Sequence, residues 1–480
     1  MSREHEAPRL LGLEGALELD ARTNAELFAC HVNPGLATLY RWLGTAELDI
    51  VGGAGAELHL RDGTRLLDAS SALGATTLGH GSALVAEAQA RFAAVGGCDA
   101  LKVAPSRWQS ALAHDLVALA PAGLEIVSFS PSGAEAVEAA LKLCERGARG
   151  GRDRFVVFEG SFHGKTHSAL ALTRAGNFQD GLLLGLRAEQ VVEVPFDDLG
   201  ALERVLDADA RAPGGPRLLA VVAEPVQGQA VRVPREDWLA GVIALARRHG
   251  IRSIVDEVKS GLLRTGAFTR CTAAGVTPDV LVLGKGLGGG RHALGATLCR
   301  RDVFERAYGS TSDAAHHTST FGGLGEACAV ALAVVGWMAR RETQACVAER
   351  ARELDVGLHE LAERRSRRVA GVRGLGLFRG LVLRPDERLS DAWPVLRSEL
   401  PFRALEAAYT AGVVRELALR EHVLAHFCAS DPDVLHLMPP LDVSREQIAR
   451  LLQALDAVLD RPPLALVSAL ALARLRGGSA

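Results

Sequence analysis

The sequence has few of the features that mark nucleic-acid-binding proteins and membrane-spanning proteins. Aromatic residues make up 5% of its 480 residues, and 54 Lys and Arg face 57 Asp and Glu, for a net charge of −3. Nucleic-acid binding needs a basic surface or stacking aromatics, so we expect no nucleic-acid partner. No apolar run reaches the ~20 residues that cross a bilayer, so we expect no membrane span.

The sequence also lacks closely spaced cysteine pairs and the pattern of a secretory signal peptide. The eight cysteines are scattered, with no CxxC pair. This scatter is typical of free thiols in a reducing compartment and not of a disulfide or zinc framework. The first 15 residues are charged and lack the apolar core of a signal peptide. We therefore expect a soluble cytoplasmic protein without a metal.

Lysine is scarce, which narrows the choice of a reactive amine. Of the 54 cationic residues only five are lysines. Lys285 follows four apolar residues and is enclosed by glycines in LVLGKGLGGG. A lysine that enters a cleft there is desolvated and has a lowered pKa, which suits an amine that bonds covalently to a carbonyl. The alternative interpretation is a surface lysine after an edge strand.

Short apolar strands alternate with helices from about residue 76 onward. This pattern predicts a mostly parallel sheet that is covered by helices on both faces. After residue 335, Arg/Glu-rich helices and a glycine-rich strand segment predict a smaller α+β domain that the N-terminal strands complete. We therefore divide the chain into an N-terminal segment, a large domain and a C-terminal small domain, at residues 1–75, 76–335 and 336–480.

Three further polar features follow predicted strands, where open α/β sheets bind their ligands. The small residues of SPSGA precede a helix, whose free N–H groups can bind phosphate; an ordinary N-cap by Ser132 is the alternative. Asp256 ends an apolar run, and a structural ion pair would explain it equally well. Phe162 lies where a ring could stack on a planar ligand. A phosphate cradle, a carboxylate, an amine and an aromatic together match pyridoxal 5′-phosphate (PLP).

These segments resemble the class III (ornithine- and putrescine-type) aminotransferases of fold type I. The resemblance runs from about residue 33 to residue 461 and is carried by SGAEAVEAALKL, FHGKTHSALALT, AEPVQG, VDEVKSGLLRTGAF, LGKGLGGG, HHTSTFGG and HLMPPLDVS. It implies an α/β large domain with a mostly parallel seven-stranded sheet, and a small α+β domain formed by both termini. It also implies a PLP-dependent transaminase that acts on small amines and carbonyl compounds.

The resemblance also implies a role for individual residues. Lys285 is the lysine that bonds to PLP, and Asp256 pairs with the pyridine nitrogen. Thr320 binds the phosphate of the partner subunit's site, which implies a homodimer with shared sites. The remaining cofactor-binding residues implied are Ser132, Gly133, Ala134, Phe162, His163, Val258 and Lys259.

Several positions depart from the family pattern. Lys259 replaces the usual Gln, Gln229 replaces the Glu of EPVQGE, and His436 replaces the arginine that holds a substrate α-carboxylate. A histidine cannot reproduce the two-pronged contact of an arginine. We therefore hypothesise a substrate without a free α-carboxylate, such as a diamine, an ω-amine or an aldehyde held by a carrier. Arg291 is a candidate substitute anchor.

Three alternative functions remain open at this point. The first is a PLP-dependent racemase or epimerase of the same family, which the altered positions allow. The second is a dinucleotide-binding dehydrogenase, since Gly284, Gly286 and Gly289 fit GxGxxG, although no helix clearly follows. The third is a binding module that has kept the fold, against which intact Lys285 and Asp256 argue.

Overall fold

The structure is a computed structural model that describes residues 10–148, 150–384, 402–428 and 430–468. Its helices are α1 (Gly12–Glu18), α2 (Ala21–His31), α3 (Pro34–Leu43), α4 (Ser71–Gly74), α5 (Ala83–Ala94), α6 (Arg107–Leu119), α7 (Gly133–Arg146), α8 (His167–Leu172), α9 (Leu199–Ala210), α10 (Trp238–Arg248), α11 (Arg270–Ala273), α12 (Arg301–Tyr308), α13 (Gly325–Met338), α14 (Arg341–Arg364), α15 (Phe402–Leu419) and α16 (Arg445–Asp460). Within this part of the chain, every helix is too short or too polar to cross a bilayer.

The strands form three sheets. They are β1 (Ile50–Ala54), β2 (Glu57–Leu60), β3 (Arg65–Asp68), β4 (Ile126–Ser130), β5 (Arg154–Phe158), β6 (Val191–Val194), β7 (Leu218–Ala223), β8 (Arg252–Asp256), β9 (Val280–Leu283), β10 (Gly295–Cys299), β11 (Val369–Leu375), β12 (Phe378–Leu383), β13 (Val423–Leu424), β14 (His426–Cys428) and β15 (Asp431–Leu437). The central sheet has seven strands in the order β4-β10-β9-β8-β7-β5-β6. Only β10 runs against its neighbours there, so the predicted mostly parallel seven-stranded sheet is confirmed.

Helices cover both faces of the central sheet. Alternate residues of β8 belong to different hydrophobic clusters: Val255 packs in the cluster that contains Trp238 of α10, and Ile254 in the cluster that contains Val137 of α7. All six residues of β7 are buried, as expected of a strand without a solvent-exposed face. The continuous apolar runs of the sequence therefore arise from burial on two sides.

The two smaller sheets lie outside this layer and involve both ends of the chain. One has the order β1-β2-β3-β13, in which the N-terminal β3 pairs in parallel with the C-terminal β13. The other has the order β11-β12-β15-β14. The N-terminal strands thus contribute to the smaller α+β part, as the sequence predicts. The predicted boundary at residue 335 falls near the end of α13, and the division into domains remains a prediction. The predicted tail from residue 464 lies largely outside the described residues.

Candidate active site

The polar residues singled out in the sequence follow strands that end at one edge of the central sheet. Asp256 is the last residue of β8, Lys285 comes two residues after β9, and Ser132 comes two residues after β4. These strands run in the same direction, so their carboxyl ends lie at the same edge. Phe162 follows β5, which is parallel to β7. The fold therefore gathers the four predicted features where open α/β sheets bind ligands.

The start of α7 forms a compact cradle. Ser132 caps the helix, because its Oγ accepts a hydrogen bond from Glu135 N at 3.2 Å and donates one to Glu135 Oε2 at 2.9 Å. Among the hydrogen bonds of the described residues, none uses Gly133 N or Ala134 N as donor. A Cβ on Gly133 would lie 2.7 Å from Cγ1 of Val258, so only glycine lets the helix approach β8 so closely. Two free N–H groups therefore remain available for an anion.

Asp256 is held by a buried histidine and by its own loop. Its Oδ2 lies 2.9 Å from His163 Nδ1, and its Oδ1 accepts a hydrogen bond from Val258 N at 3.0 Å. Burial disfavours a charged His163, but the hydrogen bond and the charge of Asp256 raise its pKa above the usual value. The two contacts fix the orientation of the buried Asp256 side chain and satisfy its oxygens.

Lys285 begins a short 3₁₀ turn, Lys285–Gly288, in a strained backbone conformation. Its φ is +43°, in the left-handed region that non-glycine residues rarely adopt. Burial lowers the pKa of its ammonium group, and the carboxylates of Asp256 and Glu224 partly oppose this shift. A lowered pKa favours the neutral amine, which is the nucleophilic form. The predicted alternative of an exposed lysine at an edge strand is wrong, since β9 lies between β8 and β10.

Glu224 connects two loops of the site and received no role from the sequence. It directly follows β7, and its two carboxylate oxygens accept hydrogen bonds from Phe162 N and Gly228 N, each at 2.8 Å. Burial raises its pKa to about 7. By holding both loops, Glu224 positions the Phe162 ring. The centroid of this ring lies 6.1 Å from that of Phe178. The position of Glu224 at the end of a strand, in AEPVQG, is the sequence signal that could have marked it as a site residue.

The residues that depart from the family pattern meet on one side of this site. Lys259 Nζ donates a hydrogen bond to Gly228 O at 2.5 Å and lies 4.8 Å from the centroid of the Phe378 ring. Burial lowers its pKa to about 7. Gln229 Oε1 accepts a hydrogen bond from Ser430 Oγ at 3.4 Å. Burial strongly lowers the pKa of His436, and the backbone of Gln229 partly opposes this lowering.

His436 is fully buried and contacts two residues that the sequence did not single out. Its Nδ1 lies 4.0 Å from Cys428 Sγ, and its ring centroid lies 4.9 Å from that of His426. Burial lowers the pKa of His426 to about 3 and raises the pKa of the Cys428 thiol. Both imidazoles are therefore neutral, whereas the family pattern has a charged guanidinium at position 436.

Two predicted residues lie at the surface of the chain. Thr320 is exposed, in the loop between α12 and α13, and its neighbour Phe321 is 61% exposed. Arg291 is exposed as well, just after the turn that contains Lys285. The contacts of the described residues do not connect either side chain to Asp256 or Lys285. Their roles remain predictions.

Comparison with known proteins identifies the family. The chain matches the family profile "Aminotransferase class-III" over residues 41–459. It is 37% identical over 363 residues to acetylornithine aminotransferase of Prochlorococcus marinus. The aligned region covers 73% of this chain and 77% of that protein. It is 34% identical over 352 residues to putrescine aminotransferase of Pectobacterium atrosepticum, which covers 73% and 69%. This chain belongs to the class III aminotransferases.

The solved structures agree on the fold. Ornithine aminotransferase from Toxoplasma gondii ME49 superposes with a TM-score of 0.78 over 95% of this chain and 98% of that chain, at 21% identity. A transaminase from Virgibacillus gives a TM-score of 0.75 over 88% and 94%, at 22% identity. The relatives are aminotransferases, so transamination is supported and the racemase alternative is not favoured.

Class III aminotransferases depend on PLP, and the site has the chemistry to hold it. The cradle offers two unused N–H groups for a phosphate, and Lys285 offers a desolvated amine for an aldehyde. A buried carboxylate, Asp256, is available for a protonated ring nitrogen. The dehydrogenase alternative is not supported, because GxGxxG here opens a four-residue 3₁₀ turn and no α-helix.

Proposed function

We propose that this class III aminotransferase moves an amino group from an amine without a free α-carboxylate to a small carbonyl acceptor. Its active site consists of Lys285 and Asp256 with the α7 cradle. Diamines, ω-amines and carrier-held aldehydes are the substrate classes that fit. The observation that carries this proposal is the fully buried His436, which stands with Gln229 where the family pattern places an arginine and a glutamate. One imidazole cannot offer a carboxylate two parallel charged N–H donors.

The residues of the chain divide the work of the reaction. When bound, PLP supplies an aldehyde that bonds to amines and a ring that accepts electrons from the reacting carbon. Lys285 would supply the amine for this aldehyde and would accept a proton and return it as general base and acid. Asp256 would face the ring nitrogen, with its carboxyl group oriented by His163. Gly133 N and Ala134 N would hold the phosphate, with Ser132 as the helix cap, and Phe162 and Val258 would enclose the ring.

The substrate preference can be read from the first half-reaction. The holoenzyme is mixed with one donor at a time, a diamine, an ω-amino acid, an α-amino acid or a long-chain amine, and the change in cofactor absorbance is followed. We expect the α-amino acid to react about 10- to 100-fold more slowly than the diamine, because the charge-assisted bidentate contact is missing.

Restoring the family pair is the sharper test. The double variant Gln229→Glu with His436→Arg should raise the rate with an α-amino acid by about 10-fold or more, since it recreates the arginine fork. His436→Gln is the matched control, because it changes the same side chain without adding a cation. If His436→Arg left the donor and keto-acid preferences unchanged, the proposed substrate class would be wrong.

The assembly and location of the enzyme are also proposals. A homodimer in which Thr320 reaches the partner subunit's site is supported by the exposure of Thr320 and by exposed apolar residues on and beside the N-terminal helices. These residues include Leu10, Leu11, Leu13, Leu17 and Val32, each more than half exposed. A cytoplasmic location is supported by the eight cysteines, all of which are free thiols.

A further inference from the structure

Three side chains with metal-binding atoms meet on the hairpin that carries His436. His426 and Cys428 lie two residues apart on β14, and the register with β15 shifts between Phe427 and Cys428. The antiparallel pairing of β14 with β15 places His436 directly opposite His426. One ligand atom from each of the three lies within 4.8 Å of the other two. The β14–β15 hairpin therefore brings three side chains with metal-binding atoms together.

Three of the four ring nitrogen atoms of this cluster lack hydrogen-bond partners among the described residues. Both ring nitrogens of His426 and Nε2 of His436 are buried and have no hydrogen-bond partner among the residues that the structure describes. His436 is 0% exposed. Buried polar atoms of native proteins are almost always paired, so three such atoms in one place are available to a ligand.

We propose that His426, Cys428 and His436 bind a zinc ion. Two imidazoles and a thiolate are ligands that Zn²⁺ prefers, with Zn–N of about 2.0 Å and Zn–S of about 2.3 Å. These lengths place the sulfur about 3.5 Å from each nitrogen in a tetrahedral site. Cys428 Sγ and His436 Nδ1 are 4.0 Å apart, so small side-chain rotations would complete the site. On binding, the Cys428 thiol loses its proton to solvent and the thiolate bonds to the metal.

The zinc would lie beside the proposed active site. The His436 ring centroid lies 6.4 Å from that of Phe378, and the amine of Lys259 lies 4.8 Å from the same Phe378 centroid. The amine of Lys259 donates a hydrogen bond to Gly228 O and lies over the Phe378 ring. Three protein ligands leave the fourth tetrahedral position to water. This proposal does not depend on which amine the enzyme uses.

Zinc binding can be measured on the full-length holoenzyme, purified without a histidine tag. The protein is dialysed against buffered zinc, and bound metal is counted by plasma mass spectrometry. We expect one zinc per chain. Cys428→Ser, a nearly isosteric change, should weaken binding by at least about 100-fold. Cys346→Ser is the matched control, because it alters an exposed cysteine on α14.

X-ray absorption at the zinc edge identifies the atoms bound to the metal. A variant that only loosens the fold would not change which atoms these are. We expect one sulfur neighbour at about 2.3 Å and two nitrogen neighbours at about 2.0 Å. His426→Asn, at a partly exposed position, should lose one nitrogen neighbour and bind zinc more weakly. The proposal is overturned if the holoenzyme binds no stoichiometric zinc, if Cys428→Ser binds it as tightly, or if the bound zinc has no sulfur neighbour.

Discussion

At the scale of single residues, the pairing of Asp256 with His163 makes the protein sensitive to pH. Both side chains are buried, and the folded state raises the pKa of His163 above its usual value. The folded chain therefore binds more protons than the unfolded chain at pH values between the usual pKa and the raised one. Stability from this pair is fully present below about pH 6.5 and is lost as the pH rises through the folded-state pKa.

We therefore predict that His163→Asn removes a pH-dependent part of the stability. Without cofactor, the wild type should exceed the variant most at about pH 6, and the difference should shrink toward about pH 9, at ~1.4 kcal/mol for each unit of pKa shift. Denaturant unfolding at several pH values measures this. His114→Asn, at an exposed histidine, is the control and should show no such trend. A difference that grows with pH would contradict the prediction.

At the scale of elements, the contact between α7 and the end of β8 determines the shape of the cradle. We predict that Gly133→Ala destabilises the protein by about 1–3 kcal/mol and weakens PLP binding, because its Cβ would lie 2.7 Å from Val258 Cγ1. Thermal unfolding and PLP titration measure the two effects.

Two further variants make this prediction specific. Val258→Ala in the Gly133→Ala background should recover part of the lost stability, because it removes the two methyl groups that a Cβ at position 133 would meet. Gly336→Ala, within α13, is the control, since nothing lies within 4 Å of its added Cβ. It should be neutral or slightly stabilising, as expected for a helical glycine. Equal losses in both single glycine variants would count against the packing argument.

The secondary-structure elements also show which parts of the fold and the site the sequence could predict. Strands such as β7 and β9 and the start of α7 were predictable, because their apolar runs and turn residues act locally. Asp256 and Lys285 were predictable as well, because parallel strands bring their carboxyl ends to one edge. The cluster around His436 was not, since it depends on which residues face each other across β14 and β15. The expectation of no metal rested on CxxC spacing, which cannot detect ligands that register brings together.

At the scale of the whole molecule, the proposed dimer can be tested by combining two defective chains. Lys285→Ala alone should lose at least about 100-fold in rate, because the general base is gone. Thr320→Ala alone should bind PLP weakly. In a mixed dimer of the two, a Thr320 that acts across the interface leaves one site with both residues intact.

The mixed dimer should therefore recover about half of the wild-type activity and bind one PLP tightly per two chains. Co-expression with two different tags isolates the mixed species, and Lys142→Ala in place of Thr320→Ala is the control. If Thr320 serves the site of its own chain, the mixed dimer would have no intact site and would show only the residual activity of Thr320→Ala. Dissociation into monomers at assay concentrations would contradict the dimer itself.

The left-handed backbone at Lys285 has a consequence for evolution and engineering. A side chain with a Cβ is strained there, and its amine is removed from water, so both the backbone and the buried amine at this position lower the stability of the fold. A glycine would relieve both costs and abolish the chemistry. Selection for thermal robustness alone would therefore tend to erase the nucleophile, and activity must be selected together with robustness to keep it.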